Sequence, residues 1–331
     1  MRLHIFALSV TCLAAGVPET QVTSGPSFDY PSGRPVDIQR LSSSNREGVT
    51  VQDITYIKAS DGRNAATLVL PRQGTPGPHA AILFVHWYEP PNPSSNRTEF
   101  VDDAVELANA GAISLLIDTP WSEPKWFESR DGDKDYEMSV AQVKELRRAL
   151  DVLVGRSDVD RARVAYVGHD FGAMYGAVAV AVDARPTHFV FMAGTRSFSD
   201  WFLFTPKREG AARERFVAQL APLDPIAFLP KIAPRPVLLQ FATHDTFVSK
   251  EAAAALAQAA GSASTVRYYE AEHALNAEAT HDRQAWLKRE LRLRPEQAAE
   301  TRQPEVQHAS VECPIVSTLP SPAGPSPFCA R

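Results

Sequence analysis

Three residues set the chemical problem: Asp170, Asp245 and His273. Asp170 is the centre of Gly168-His169-Asp170-Phe171-Gly172. A glycine, a variable residue, a candidate nucleophile, a variable residue and a glycine mark a sharp strand-to-helix turn. Serine is usual at the centre, and here it is aspartate. A serine must lose a proton as it attacks, whereas an ionised carboxylate needs no such help. Asp170 can attack an sp³ carbon bearing a leaving group and form an ester on the protein. A histidine held by a second acid can then activate water against that ester. PVLLQFATHDTFV puts Asp245 just past one apolar run, and TVRYYEAEHALN puts His273 just past the next. Glu272 adjoins His273, but adjacent residues rarely face one another, so Asp245 is the expected partner.

Each residue also has a bland reading. Asp170 would serve as a helix N-cap, a common use of aspartate. Asp245 would cap a helix beginning near Ser249, and His273 would be a surface histidine. What favours the chemical reading is that all three follow strand-like runs, in the order nucleophile, acid, histidine.

The elements that must position them alternate along the chain. VTVQDITYIKA and AATLVLP read as an opening pair of strands. AAILFVH (80–86) is nearly continuous in apolar residues, as in a strand buried on both faces. TEFVDDAVELANAGA has helical periodicity and ends near Gly111. AISLLID (112–118), a helix around MSVAQVKELRRALDVLV, RVAYVGH (163–169) and a small-residue helix from Phe171 follow. THFVFMAG, PVLLQFA, KEAAAALAQAA, TVRYYEA and EATHDRQAWLKREL complete the alternation. This order predicts an α/β fold with a doubly wound, mostly parallel sheet. Ligands in such sheets bind beyond the C-terminal ends of the strands, where Asp170, Asp245 and His273 are expected.

The motifs HWYEPP (86–91), GHDFGAMYG, ATHDTFV and AEHALN resemble those of the α/β-hydrolase superfamily, in its dienelactone-hydrolase-like branch, over about residues 50–291. The resemblance implies an α/β-hydrolase fold and a hydrolase activity on a small-molecule substrate. It also implies an oxyanion hole from the Phe171 N–H and that of Trp87 or Tyr88. Dienelactone hydrolases carry cysteine at the elbow and most relatives serine. GHDFG is instead similar to the aspartate elbows of dehalogenases and epoxide hydrolases. The expected activity is therefore hydrolysis of an ester or lactone, a halide or an epoxide through an ester on Asp170. Two alternatives stand: a carboxylic ester hydrolase with Asp170 as base, and a catalytically silent fold used for binding.

The leaving group divides these readings. Haloalkane dehalogenases resemble one another in a tryptophan after the nucleophile, where this chain has Phe171; Trp87 and Trp201 are the candidate substitutes. Haloacid-type relatives carry arginine there, for which Arg130 and Arg196 are candidates. Epoxide hydrolases protonate the ring oxygen with lid tyrosines, but residues 195–235 contain none. Tyr88 and Tyr175 are the nearest. SDWFLF, with Trp201, supplies an apolar lid.

The 331 residues, 44% of them hydrophobic, allow one large α/β domain or two small ones. A net charge of −5 without a basic cluster points away from nucleic acid. No apolar run reaches membrane-spanning length. No metal-ligand spacing or phosphate-binding glycine loop is present, so no metal and no cofactor are expected. The sequence carries no signal for oligomeric state. The expected organisation is a leader over 1–45, an α/β-hydrolase domain over 46–292 with a lid at about 195–235, and a proline-rich disordered tail over 293–331. Residues 1–16 read either as a secretory signal, which implies export, or as an extension of a cytoplasmic protein. Removal of a signal containing Cys12 would leave Cys313 and Cys329 as an even pair.

Overall fold

The computed structural model describes residues 25–293, Pro91 excepted. The signal, the proline-rich tail and the three cysteines expected from the sequence lie outside the described residues. The described chain runs β1 (Gln39–Arg40), β2 (Ser44–Arg46), β3 (Val49–Ile57), β4 (Arg63–Leu70), β5 (His79–Val85), α1 (Val101–Asn109) and β6 (Ile113–Ile117). It continues α2 (Trp126–Ser129), α3 (Asp135–Val154), β7 (Val159–His169), α4 (Phe171–Ala181), β8 (His188–Met192), α5 (Phe198–Phe202), α6 (Gly210–Leu220) and α7 (Pro225–Phe228). It closes with β9 (Val237–Ala242), α8 (Lys250–Ala260), β10 (Ser264–Tyr269) and α9 (Ala277–Glu290).

All ten strands form one sheet, in the order β1-β3-β4-β6-β5-β7-β8-β9-β10, with β2 also on β3. The pairs β3–β4 and β4–β6 are antiparallel. From β6 through β5 to β10 every pair is parallel. Central β5 shows why the apolar runs are continuous. Ala81, Leu83 and Val85 pack on the face covered by α3, α4 and α8, while Ile82 and Phe84 pack on the face covered by α1 and α9. Both faces exclude water, so no position from Ala80 to Val85 is free to be polar.

One boundary differs from expectation. The leader was expected to run to residue 45, yet β1 and β2 lie within it and add to the sheet through β3. These strands are two and three residues long and fully exposed, so no apolar periodicity marks them. Backbone pairing to an existing edge holds them, which a local pattern does not reveal.

The β7–α4 turn is the tightest part of the fold. A Cβ on Gly168 would stand 2.3 Å from the Gly172 carbonyl oxygen, and one on Gly172 2.3 Å from that of Val85. Only glycine lets α4 start this close beneath β5. Between the two, Asp170 adopts φ 54° and ψ −119°. This sparsely populated conformation costs about 1–3 kcal/mol for a side-chain-bearing residue and persists because the turn is fixed at both ends.

Candidate active site

The three residues singled out from the sequence converge at the C-terminal edge of the sheet. Asp170 follows β7, Asp245 follows β9 and His273 follows β10. Asp170 and His273 line one cavity of about 210 Å³. Its walls are the rings of Tyr88, Phe127, Phe171, Trp201, Phe204 and Phe247. Glu89 adds a further carboxylate.

The bland reading of Asp170 makes a distinct structural demand: its carboxylate should accept an N–H from the first turn of α4. It does not. The side chain makes no capping bond, and the Ala173 and Met174 N–H groups go to the Asp170 backbone carbonyl. The carboxylate turns the other way, and its Oδ2 accepts the Tyr88 N–H at 2.8 Å. Phe171 opens α4, where the first N–H groups have no partner within the helix. Asp170 is 4% exposed. Burial pushes its carboxyl up to about 7, and Glu99 and Glu89 add to the rise, against the opposing influence of His273 and the Tyr88 N–H.

Asp245 likewise is not the cap of α8; Ser249 fills that role, its Oγ accepting the Ala252 N–H at 3.1 Å. The Asp245 Oδ1 takes the Phe247 and Val248 N–H groups at 2.8 and 2.9 Å. Its Oδ2 lies 2.8 Å from His273 Nδ1. Burial acts to raise this carboxyl, but the hydrogen bond and charge of His273 and the two amides outweigh it and hold it low. Asp245 therefore stays an anion that accepts from Nδ1 and leaves His273 Nε2 as the free base. His273 is not on the surface, being only 7% exposed.

The loop after β5 requires a correction. Trp87 was expected to supply an oxyanion N–H or a halide contact. Its amide instead donates to Glu99 Oε2 at 2.8 Å, and its ring stacks on His169 with centroids 5.0 Å apart. Trp87 does not line the cavity. Tyr88 is the residue whose N–H reaches Asp170. The other leaving-group candidates are also placed. The Trp201 indole lines the cavity but donates to the Phe247 carbonyl at 3.0 Å. Arg130 is held by Asp135 at 3.1 Å and by the Phe127 and Phe202 carbonyls, and Arg196 faces Asp200 at 3.7 Å. The Tyr88 hydroxyl donates to the Pro124 carbonyl at 3.1 Å, and that of Tyr175 meets Ser139 at 3.0 Å in the core.

Sequence reasoning missed Glu99 and His169. Glu99 Oε1 lies 2.6 Å from His169 Nδ1, and His169 Nε2 lies 3.1 Å from the His273 carbonyl. A carbonyl only accepts, so Nε2 carries a proton. One carboxylate thus ties the Trp87–Tyr88 backbone to the loop that carries His273. Glu99 belongs to the stretch before α1, 70 residues from His169, and no local motif marks it. Glu99→Ala leaves the Trp87 N–H and His169 Nδ1 without partners, and urea denaturation should show a loss of about 2–4 kcal/mol. In Glu99→Gln the amide oxygen still accepts from Trp87 and its NH₂ donates to Nδ1, so the loss should stay below about 1 kcal/mol. Equal losses for the two variants would refute this bridge.

The sheet order, the glycine-flanked turn into α4 and the acid and histidine after β9 and β10 define the α/β-hydrolase fold. Solved structures bear this out. The acetyl xylan esterase of Paenibacillus sp. R4 superposes with a TM-score of 0.63 at 16% identity, over 78% of this chain and 90% of that one. Acetyl xylan esterase 1 of Thermoanaerobacterium sp. JW/SL YS485 gives 0.64 at 16% identity, over 80% and 90%. The glucuronoyl esterase of Solibacter usitatus gives 0.58 at 16% identity, over 80% and 88%. No family model matches the sequence, and no curated protein sequence does. Among the described residues no group of three metal-ligating side chains occurs, and no helix is long and apolar enough to cross a membrane.

Proposed function

We propose that the chain is a hydrolase in which Asp170 is the nucleophile. One observation carries this reading: the Tyr88 N–H already engages a carboxylate oxygen of Asp170. An oxyanion donor aimed at a substrate carbonyl would point into the cavity. Here the donor meets the oxygen that becomes the oxyanion if the tetrahedral intermediate forms on Asp170 itself.

In the first step the free oxygen of Asp170 attacks the alkyl carbon of the substrate, and the leaving group departs with the bonding pair. In the second, His273 Nε2 takes a proton from water as the water oxygen attacks Cγ of Asp170. Charge then collects on the oxygen facing Tyr88 and Phe171. Collapse expels the alkoxide, the His273 imidazolium protonates it, and Asp170, now an acid with one oxygen from water, releases the second proton of that water to solvent and is restored as the carboxylate. Asp245 keeps His273 in the required tautomer throughout.

Of the three bonds considered, the ester or lactone C–O bond fits best. A carboxylate leaves without a proton. The Trp201 indole, the Arg130 guanidinium and the Tyr88 phenol, which would serve a halide, a haloacid carboxylate or an epoxide oxygen, are engaged elsewhere, and Trp87 does not line the cavity. The solved structures of like fold are named as esterases, which supports the same bond. A second reading has Asp170 as base for water attacking an acyl carbon, favoured by a carboxyl raised to about 7, near the optimum for such a base. Single turnover in H₂¹⁸O with excess protein separates the two. The nucleophile reading predicts ¹⁸O in the peptide containing Asp170 and none in the product alcohol. Unlabelled protein with labelled acid product would establish the base reading instead.

A further inference from the structure

We infer that the cavity selects a substrate bearing a cationic head group, an alkylammonium or protonated amine, and rejects anionic ones. This deepens the proposed function and rests on the same cavity being the substrate site. The walls are almost wholly aromatic, and the two acids that face the space are Glu89 and Asp170. No lysine or arginine is among the described residues that line it. The Arg130 guanidinium lies over the lining residue Phe127, 4.0 Å from the ring centroid, and Asp135 neutralises it. Glu89 has no ion-pair partner among the described residues, and its backbone N–H is held by Ser95 Oγ at 2.9 Å, which fixes the loop that presents it. Aromatic faces attract a desolvated cation through their negative quadrupole, and a carboxylate in the same low-dielectric space adds direct attraction. An anion entering the cavity meets the repulsion of Glu89, and the one basic side chain among the described lining residues, His273, is already paired with Asp245 through Nδ1.

The probes are choline, its uncharged isostere 3,3-dimethylbutan-1-ol and the anion 3,3-dimethylbutanoate. Binding to the full chain is read by calorimetry, with no turnover required. Choline should bind roughly ten-fold more tightly than the neutral isostere, and the anion most weakly. Glu89→Gln should remove most of the choline preference and leave the alcohol unchanged. Alcohol binding as tight as choline, a preference that survives Glu89→Gln, or no choline binding at millimolar concentration each overturns the inference. The wild-type comparison stands even if the variant does not fold. Because these are equilibrium measurements, cation selectivity can fail while ¹⁸O still enters Asp170, and the converse, so the two readings fail separately.

Discussion

Asp170→Asn is expected to abolish hydrolysis, with a loss of about 10⁴-fold in kcat, while making the protein more stable. The two effects have one cause. Burial raises the Asp170 carboxyl from 3.8 to about 7. Between these values the native state holds a proton that the unfolded chain has already released, so stability falls as pH rises through the window. Above about 7 the native state bears a buried, disfavoured carboxylate, a penalty approaching ~4 kcal/mol. Asparagine keeps the oxygen that accepts the Tyr88 N–H, tolerates positive φ and carries no charge. The variant should therefore match the wild type near pH 4 and exceed it by about 2–4 kcal/mol at pH 8. Thermal unfolding at pH 4, 6 and 8 measures this directly. A stability gap independent of pH would show that the carboxylate is not disfavoured where it sits. Unchanged turnover would show that Asp170 takes no part in the hydrolysis.

His273→Gln is expected to stop the reaction halfway. Removing the base leaves attack by Asp170 intact and blocks water activation, so the ester on Asp170 accumulates. Intact mass after exposure to pooled small esters and lactones, with halides and epoxides in parallel, should show one stoichiometric adduct. Steady-state turnover should fall by about 10³-fold or more. The adduct mass identifies the alkyl group, and the pool that produces it identifies the leaving group. Only the carboxylate attacks, so the rate of adduct formation should climb with pH. The wild-type His273 acts to lower the Asp170 carboxyl. Its loss should therefore move the climb above the wild-type value of about 7. Absence of adduct in a variant whose wild type turns over the same ester would remove Asp170 from the nucleophile role and leave it as the base.

Only part of this was decided along the chain. The alternation of strand and helix was legible because burial on both faces of the sheet leaves the central strands few polar positions. The turn at Asp170 was legible because two glycines at fixed spacing are what a turn requires where any Cβ would stand 2.3 Å from a backbone oxygen. The order Asp170, Asp245, His273 was legible because each follows its strand. What the sequence left open were matters of direction and distance. A sequence does not say whether an aspartate at a helix start caps the helix or turns away from it; the pinned φ of Asp170 sends its carboxylate to Tyr88. Nor does it say which loop amide is free. Glu99, remote in sequence, takes the Trp87 N–H and so selects Tyr88. The Trp201 indole, the Arg130 guanidinium and the Tyr88 phenol, which looked available by position, are engaged by carbonyls and a carboxylate that only folding brings near. Residue types and spacings fix what chemistry is possible, because they set which groups stand at strand ends. The tertiary structure decides which of those groups keep a free donor or acceptor, because most buried polar atoms take a partner that the packing brings near.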